Sequence, residues 1–119
     1  MFREILQTIV EQTGGAVGAV LMGYDGIAID QYFRPCDRID LQLVAVEYAN
    51  ILRDIRSTAE ILNTGEMEEV AIRTATFTVV IRALNPEYFV ALTIDRQGNF
   101  GKGRYLLLRE SARLNQALG

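Results

Sequence analysis

The sequence predicts an α/β fold in which a five-stranded antiparallel sheet carries helices on both faces. Three strand-like runs rich in β-branched and aromatic residues follow one another between residues 66 and 95. Asp25-Gly26 lies between two further apolar runs, which is a strong hairpin signal. Helical periodicity precedes, separates and follows these two groups of strands. The predicted order is helix, strand, strand, helix, strand, strand, strand, helix.

The first third of the chain predicts one helix and one hairpin. The helix covers about three turns and ends at Thr13-Gly14-Gly15. Residues 16–24 form an apolar run, and residues 27–33 form the second strand, which Arg34-Pro35 closes. The apolar residues that recur at helical spacing in the helix are Phe2, Ile5, Leu6, Ile9 and Val10.

The rest of the chain predicts a long helix, a three-stranded meander and a last helix. Neither glycine nor proline interrupts residues 40–62, Asp37 or Asp40 is the expected cap, and Asn63-Thr64-Gly65 ends the helix. The third strand, residues 68–74, would be an exposed edge if it lay outermost. A glycine-punctuated loop after the fifth strand leads to the last helix, which has Leu107, Leu114 and Leu118 on one side.

The long helix has one side that is predicted to face the sheet and an outer side on which a few apolar residues lie among polar ones. Ala45 and Ala49, continued by Arg56, form a flank of small residues where another helix can approach closely. The outer side is mostly polar but includes Leu43, Val46 and Ile61. These apolar residues are either isolated surface residues of an ordinary kind or part of a contact with a second partner. The residues assigned to the sheet are Leu41, Val44, Tyr48, Ile51, Leu52, Ile55, Ala59 and Leu62.

Length, charge and hydropathy narrow the class of protein. At 119 residues the chain has the length of one domain, which we expect to span residues 1–119. A net charge of −3 and scattered basic residues argue against a nucleic-acid partner. No apolar run approaches the roughly 18 residues of a membrane span, and the start lacks a cleavage site, so we expect a cytoplasmic protein without membrane insertion. The single cysteine, Cys36, fits a reducing compartment.

The sequence offers no reaction centre. It contains no histidine, which excludes Ser-His-Asp, Cys-His and histidine-metal sites. The glycines Gly98, Gly101 and Gly103 around Lys102 match neither the phosphate-loop nor the dinucleotide spacing, and they favour sharp turns or close backbone approach instead. Calcium-loop spacing is absent as well. We therefore expect neither enzymatic activity, nor a metal, nor a cofactor.

Four stretches of the chain are distinctive together: GAVGAVLMGYDG at 15–26, the uninterrupted second helix, EEVAIRTATFTVVIRAL at 68–84 and YFVALTIDRQGNFGKGRYLL at 88–107. They resemble the roadblock family of dynein light chains, and more closely the bacterial members similar to mutual gliding-motility protein B. The resemblance implies a roadblock or longin-like fold and a homodimer in which third strands and second helices pair. The dimer-interface residues implied are Ala45, Ala49, Arg56, Val70 and Ile72.

The resemblance further implies that the dimer binds and regulates a small Ras-like GTPase, and that it does so without inserting a catalytic residue. The expected contact residues are Val46, Asn50, Arg53 and Ser57 on the outer side of the second helix. Arg53 or Arg56 acting in trans as an arginine finger is the less favoured mechanism. Two alternatives stay open, namely a PAS-like small-molecule sensor and a profilin-like or longin-like structural module.

Overall fold

The computed structural model describes residues 1–35 and 40–119 and confirms the predicted fold class and order of elements. The cap predicted at Asp37 and the single cysteine, Cys36, lie outside the described residues. The elements are α1 (Phe2–Gln12), β1 (Ala16–Gly23), β2 (Ala28–Phe33), α2 (Leu41–Leu62), β3 (Glu69–Arg73), β4 (Phe77–Ala83), β5 (Tyr88–Asp95) and α3 (Phe100–Leu118).

The five strands form one antiparallel sheet in the order β2-β1-β5-β4-β3. The predicted hairpin between β1 and β2 is present, and Gly26 has the positive φ of +86° that its turn requires. The Asp25 side chain accepts a hydrogen bond from the backbone N–H of Ile27 at 3.0 Å and holds the turn. Among the described strands, β3 is therefore at an edge, as the sequence predicted for an outermost third strand.

The strands alternate their side chains between two cores because successive residues of a strand point to opposite faces. Ala19, Leu21 and Leu92 belong to a core that α1 and α3 cover together. Val20, Met22 and Phe89 belong to the opposite core, which only α2 covers among the described helices. None of the described helices is long and apolar enough to span a membrane.

The ends of α2 follow the predicted signals. The Asp40 carboxylate accepts a hydrogen bond from the backbone N–H of Leu43 at 3.1 Å, which is the geometry of an N-cap. At the other end, Asn63 and Gly65 have φ values of 56° and 99°, in the left-handed region that ends helices.

The prediction of a glycine loop before α3 is wrong for Gly101 and Gly103, which lie inside the helix. Asn99 caps this helix by accepting a hydrogen bond from the backbone N–H of Lys102 at 3.0 Å. Gly103 is buried, and a Cβ built there would lie 2.8 Å from Ile94 Cδ1 and 2.9 Å from Leu92 Cδ2. Close approach of α3 to the sheet, one of the two predicted roles of these glycines, therefore explains Gly103.

Candidate functional site on the long helix

The side of α2 that packs on the sheet is a line of small and medium apolar residues. Leu41, Ala45, Ala49 and Leu52 are at most 7% exposed, and they recur at intervals of four, four and three residues. The two alanines are completely or almost completely buried, at 0% and 1% exposed. Because their side chains are short, the helix axis lies close to the sheet along this line.

This orientation corrects the predicted sheet-facing side of α2. Ile51 is 47% exposed and Leu62 is 64% exposed, although both were assigned to the sheet. The placement of Ala45 and Ala49 on a free flank is also wrong, because the helix is rotated so that these alanines enter the core. A dimer role for the two alanines stays a prediction, and their burial removes the observation that supported it.

In the observed orientation of α2, an apolar stripe, which we call the seam, lies on one flank of the helix. We define the seam as Val44, Tyr48, Ile51 and Ile55, which recur at intervals of four, three and four residues. Val44, Tyr48 and Ile55 are half-buried, while Ile51 is exposed. This spacing is the one by which helices pair side by side, with a and d residues on a shared stripe. The seam thus has the spacing that side-by-side packing of two helices requires.

The opposite flank of α2 holds the predicted GTPase-binding residues. Asn50, Arg53 and Ser57 are exposed and Val46 is half-buried, and the 3.6-residue period brings all four to one side. The Arg53 guanidinium donates hydrogen bonds to the backbone carbonyl of Tyr24 and to the side-chain oxygen of Asn50. The predicted set is therefore contiguous, and it adjoins the turn between β1 and β2.

Arg56 lies at the end of the sheet and binds groups of its own chain. Its guanidinium lies 4.2 Å from the centre of the Tyr24 ring and donates a hydrogen bond of 3.0 Å to the Pro86 carbonyl. The Tyr24 ring also contacts Phe89, with 5.1 Å between ring centres. Burial raises the pKa of the Tyr24 hydroxyl, an effect that the Arg56 charge opposes. Arg56 thus anchors α2 to two turns, a position away from the seam.

The edge strand β3 supplies the remaining predicted dimer residues. Val70 and Ile72 are half-buried and pack against the core that α2 covers. On the other side of β3, the Glu69 carboxylate binds Arg104 of α3 at 2.7 Å and lies 3.9 Å from Arg82. Because β3 has no partner strand on its outer side among the described residues, its backbone there is available for pairing with another chain.

The helix order and the sheet with an open β3 edge define a roadblock-type α/β domain. The sequence model of the Roadblock/LC7 domain matches residues 3–93. The chain belongs to the Roadblock/LC7 family, and the predicted resemblance is confirmed. No curated protein sequence matches the chain.

Solved structures place the chain near bacterial roadblock proteins. MglC from Myxococcus xanthus is 38% identical over 98% of both chains, with a TM-score of 0.71. An MglB with a tetrameric arrangement is 17% identical over 95% of this chain and 84% of its own, with a TM-score of 0.84. The gliding protein MglB from Thermus thermophilus is 18% identical over the same shares, with a TM-score of 0.84. At these low identities the two MglB structures show a shared fold alone.

The seam was not predicted from the sequence as a surface, although a signal for it is present. Residues 44, 48, 51 and 55 form one apolar stripe, and residues 41, 45, 49 and 52 form a second stripe beside it. Periodicity alone shows both stripes, and size favours assigning the larger residues to the core. The sheet instead buries the stripe that contains the two alanines, while Val44 and Tyr48 pack only partly against the same core and Ile51 stays exposed.

Proposed function

We propose that this chain forms a homodimer through the seam of α2 and the edge of β3. The observation that carries the proposal is the partly exposed apolar seam, in which Ile51 is 47% exposed and the other three residues are half-buried. A twofold axis next to β3 would pair the two edge strands into one continuous sheet and bring the two seams together. Val70 and Ile72 lie on the same face of the sheet as the seam, so the apolar surface is shared by helix and strand.

We further propose that the dimer binds and regulates a small Ras-like GTPase through Val46, Asn50, Arg53 and Ser57. The support is the family, its likeness to MglC and MglB, and the contiguous, mostly exposed flank that these residues form. The seam and this flank lie on opposite sides of the sheet-facing line, so pairing of the seams leaves the flank accessible. Such a partner would place the protein in the cytoplasm.

The contacts of the two arginines favour positioning over an arginine finger. Arg53 already binds the Tyr24 carbonyl and Asn50, while Arg56 binds the Pro86 carbonyl and the Tyr24 ring. Either guanidinium would have to leave these groups in order to reach a nucleotide. We therefore propose that the protein has no chemistry of its own and acts by binding one state of the GTPase more tightly, since only differential affinity shifts a conformational equilibrium.

The alternative of a ligand sensor is less well supported. A sensor of that type holds its ligand between the sheet and the helices. Ala45, Ala49 and Leu52 of α2 pack directly against the sheet and occupy that layer. A groove of about 540 Å³ lies instead at the end of the sheet beside Arg56.

Light scattering of the Ile51→Asp variant tests the dimer. A charge at the centre of the seam should convert the wild-type dimer to a monomer that still melts cooperatively. Leu43→Asp is the matched control, because Leu43 is 53% exposed on α2 but lies outside the seam. A wild-type monomer at high concentration, or an Ile51→Asp variant that stays dimeric, would refute the proposed seam. Ala49→Glu is unsuited to this test, because it buries a charge in the core.

Binding to a panel of the organism's small GTPases, each loaded with GDP or a GTP analogue, tests the partner. We expect one nucleotide state to bind more tightly, and Ser57→Arg to weaken that binding by about tenfold or more without changing the dimer. Arg96→Glu, at the turn after β5, is a control outside this flank. Arg53→Ala separates the mechanisms, since a many-fold loss of GTP hydrolysis with binding preserved would support an arginine finger. Absence of nucleotide-dependent binding across the panel would refute the regulator function.

A further inference from the structure

Among the described residues, no other element covers the outer side of α3, which carries two large apolar side chains. Leu106, Leu107 and Leu114 face the sheet and are completely buried. On the opposite side, Tyr105 and Leu108 are 55% and 53% exposed. The two residues lie one turn apart on the solvent side of the helix.

A row of basic side chains runs beside these two residues. Lys102, Arg109 and Arg113 are exposed and recur at intervals of seven and four residues, which keeps them on one side of α3. Arg109 and Arg113 both bind Glu110, whose side chain is 5% exposed beneath them. Within the described residues Lys102 makes no ion pair. The outer side of α3 is therefore basic at its surface, with its one carboxylate buried.

The charge of the whole chain is distributed unevenly around this surface. Helices α1 and α3 carry five of the twelve lysines and arginines but only three of the fifteen acidic residues. These two helices thus carry a net positive charge in a chain whose net charge is −3. Such an asymmetry orients a protein with these helices toward an anionic surface.

We propose that the outer side of α3, formed by Lys102, Tyr105, Leu108, Arg109 and Arg113, docks onto the anionic leaflet of a lipid bilayer. Basic residues are attracted by anionic headgroups, and aromatic and leucine side chains enter the boundary between headgroups and acyl chains. Two grooves on the described residues are lined by other parts of the chain. Exposed cations beside an exposed tyrosine and leucine fit an anionic lipid surface, which offers both negative charge and an apolar layer.

The proposed dimer would strengthen this docking, and this step rests on the proposed function. Arg104 of α3 binds Glu69 of the edge strand, which places α3 near the proposed twofold axis. Pairing through β3 would put both α3 helices on one face of the continuous sheet, opposite the α2 pair. The basic sides of two α3 helices would then bind one bilayer together, while the GTPase-binding flank faces the cytosol.

Sedimentation with vesicles tests the lipid docking. The purified chain should sediment with vesicles of phosphatidylglycerol and phosphatidylcholine but not with phosphatidylcholine alone. Binding should weaken as salt is raised, because the Debye length falls from about 10 Å at 0.1 M to about 3 Å at 1 M. Sedimentation with neither kind of vesicle, or equally with both, would overturn the proposal.

Two matched pairs of variants assign the binding to α3. Lys102→Gln should reduce vesicle binding about fivefold per chain, whereas Arg96→Gln, the same change of charge elsewhere, should not reduce it. Leu108→Ser should weaken binding several-fold, whereas Leu43→Ser, at an equally exposed leucine on the opposite face, should not. Equal effects within each pair would overturn the assignment to α3.

The same assay separates failure of the lipid proposal from failure of the dimer. A monomeric chain that binds anionic vesicles would refute the dimer and still support the lipid-docking side of α3. A dimer that does not bind these vesicles would overturn the lipid proposal alone. Retention on polyglutamate beads that is lost in Lys102→Gln, without vesicle binding, would point to an acidic protein and would also overturn it.

Discussion

The two faces of the sheet differ in how completely they are covered. Five strands spaced about 4.8 Å apart span about 19 Å, whereas one helix is about 10 Å wide. On one face α1 and α3 lie side by side and bury a core that includes Leu6, Leu107 and Leu114 completely. On the other face α2 lies alone among the described helices and leaves Ile51 and Leu62 exposed. The face covered by one helix is therefore the one on which we propose a partner.

The largest expected effect concerns the burial of side chains in the core that α1 and α3 cover. Leu107→Ala should lower the free energy of unfolding by about 2 to 5 kcal/mol, because Leu107 is completely buried and a cavity would remain. The neighbouring change Leu108→Ala should stay within about 0.5 kcal/mol, since Leu108 is 53% exposed. Urea denaturation of both variants measures the difference, and similar losses would show that α3 is oriented differently.

Two glycines of α3 test how closely this helix packs against the sheet. Gly103→Ala should destabilise the protein, because the added methyl group meets Ile94, Leu92 and Thr13 at 2.8 to 3.1 Å and overpacking costs about 1 to 3 kcal/mol. Gly101→Ala should instead stabilise it by up to about 1 kcal/mol, since this position is exposed and alanine favours helices. Thermal melts of the two variants compare them directly. A stabilising Gly103→Ala would mean that α3 does not need its close approach to the sheet.

The one-helix face should respond to protein concentration. Ile51→Ala should cost about 1 kcal/mol at concentrations where the proposed dimer forms and less at concentrations where the chain is monomeric, because the partner covers Ile51. Leu108→Ala should show no such dependence in the absence of lipid. Melts over a hundredfold range of concentration measure this. If the loss of stability in Ile51→Ala does not depend on concentration, no partner covers Ile51 and the proposed difference between the two faces is wrong.

The smallest effect concerns the pH dependence of stability near the end of α2. Burial raises the pKa of Tyr24 above the ordinary tyrosine value of about 10, so the folded state holds this proton more tightly than the unfolded state. The stabilisation is complete below about pH 10 and declines as the pH rises through the folded pKa. Tyr24→Phe should therefore lose less stability than the wild type above pH 10. Tyr105→Phe, at a tyrosine that is 55% exposed, is the control for the loss of a hydroxyl group, and urea denaturation over this pH range compares the variants.

Local chemistry in the sequence determined the helices, the strands and most of their ends. Asp25-Gly26 specified a tight hairpin, Asp40 a helix start and Asn63 with Gly65 a helix end, because each acts on backbone atoms within a few residues. Between residues 66 and 95, the alternation and runs of apolar residues likewise indicate strands without reference to distant parts of the chain. These features depend on neighbours along the chain, which is why the fold class and the family resemblance followed from the sequence.

The tertiary structure alone decided which stripe of α2 enters the core and which glycines of α3 touch the sheet. Ala45 and Ile51 lie on adjacent stripes of the same period, and only the space above the sheet selects the smaller side chain for the core. Gly103 of α3 lies so close to Leu92 and Ile94 of the sheet that no room is left for a side chain, whereas Gly101 is exposed. Both outcomes depend on the distance between elements far apart in the chain, and a one-dimensional pattern does not contain that distance.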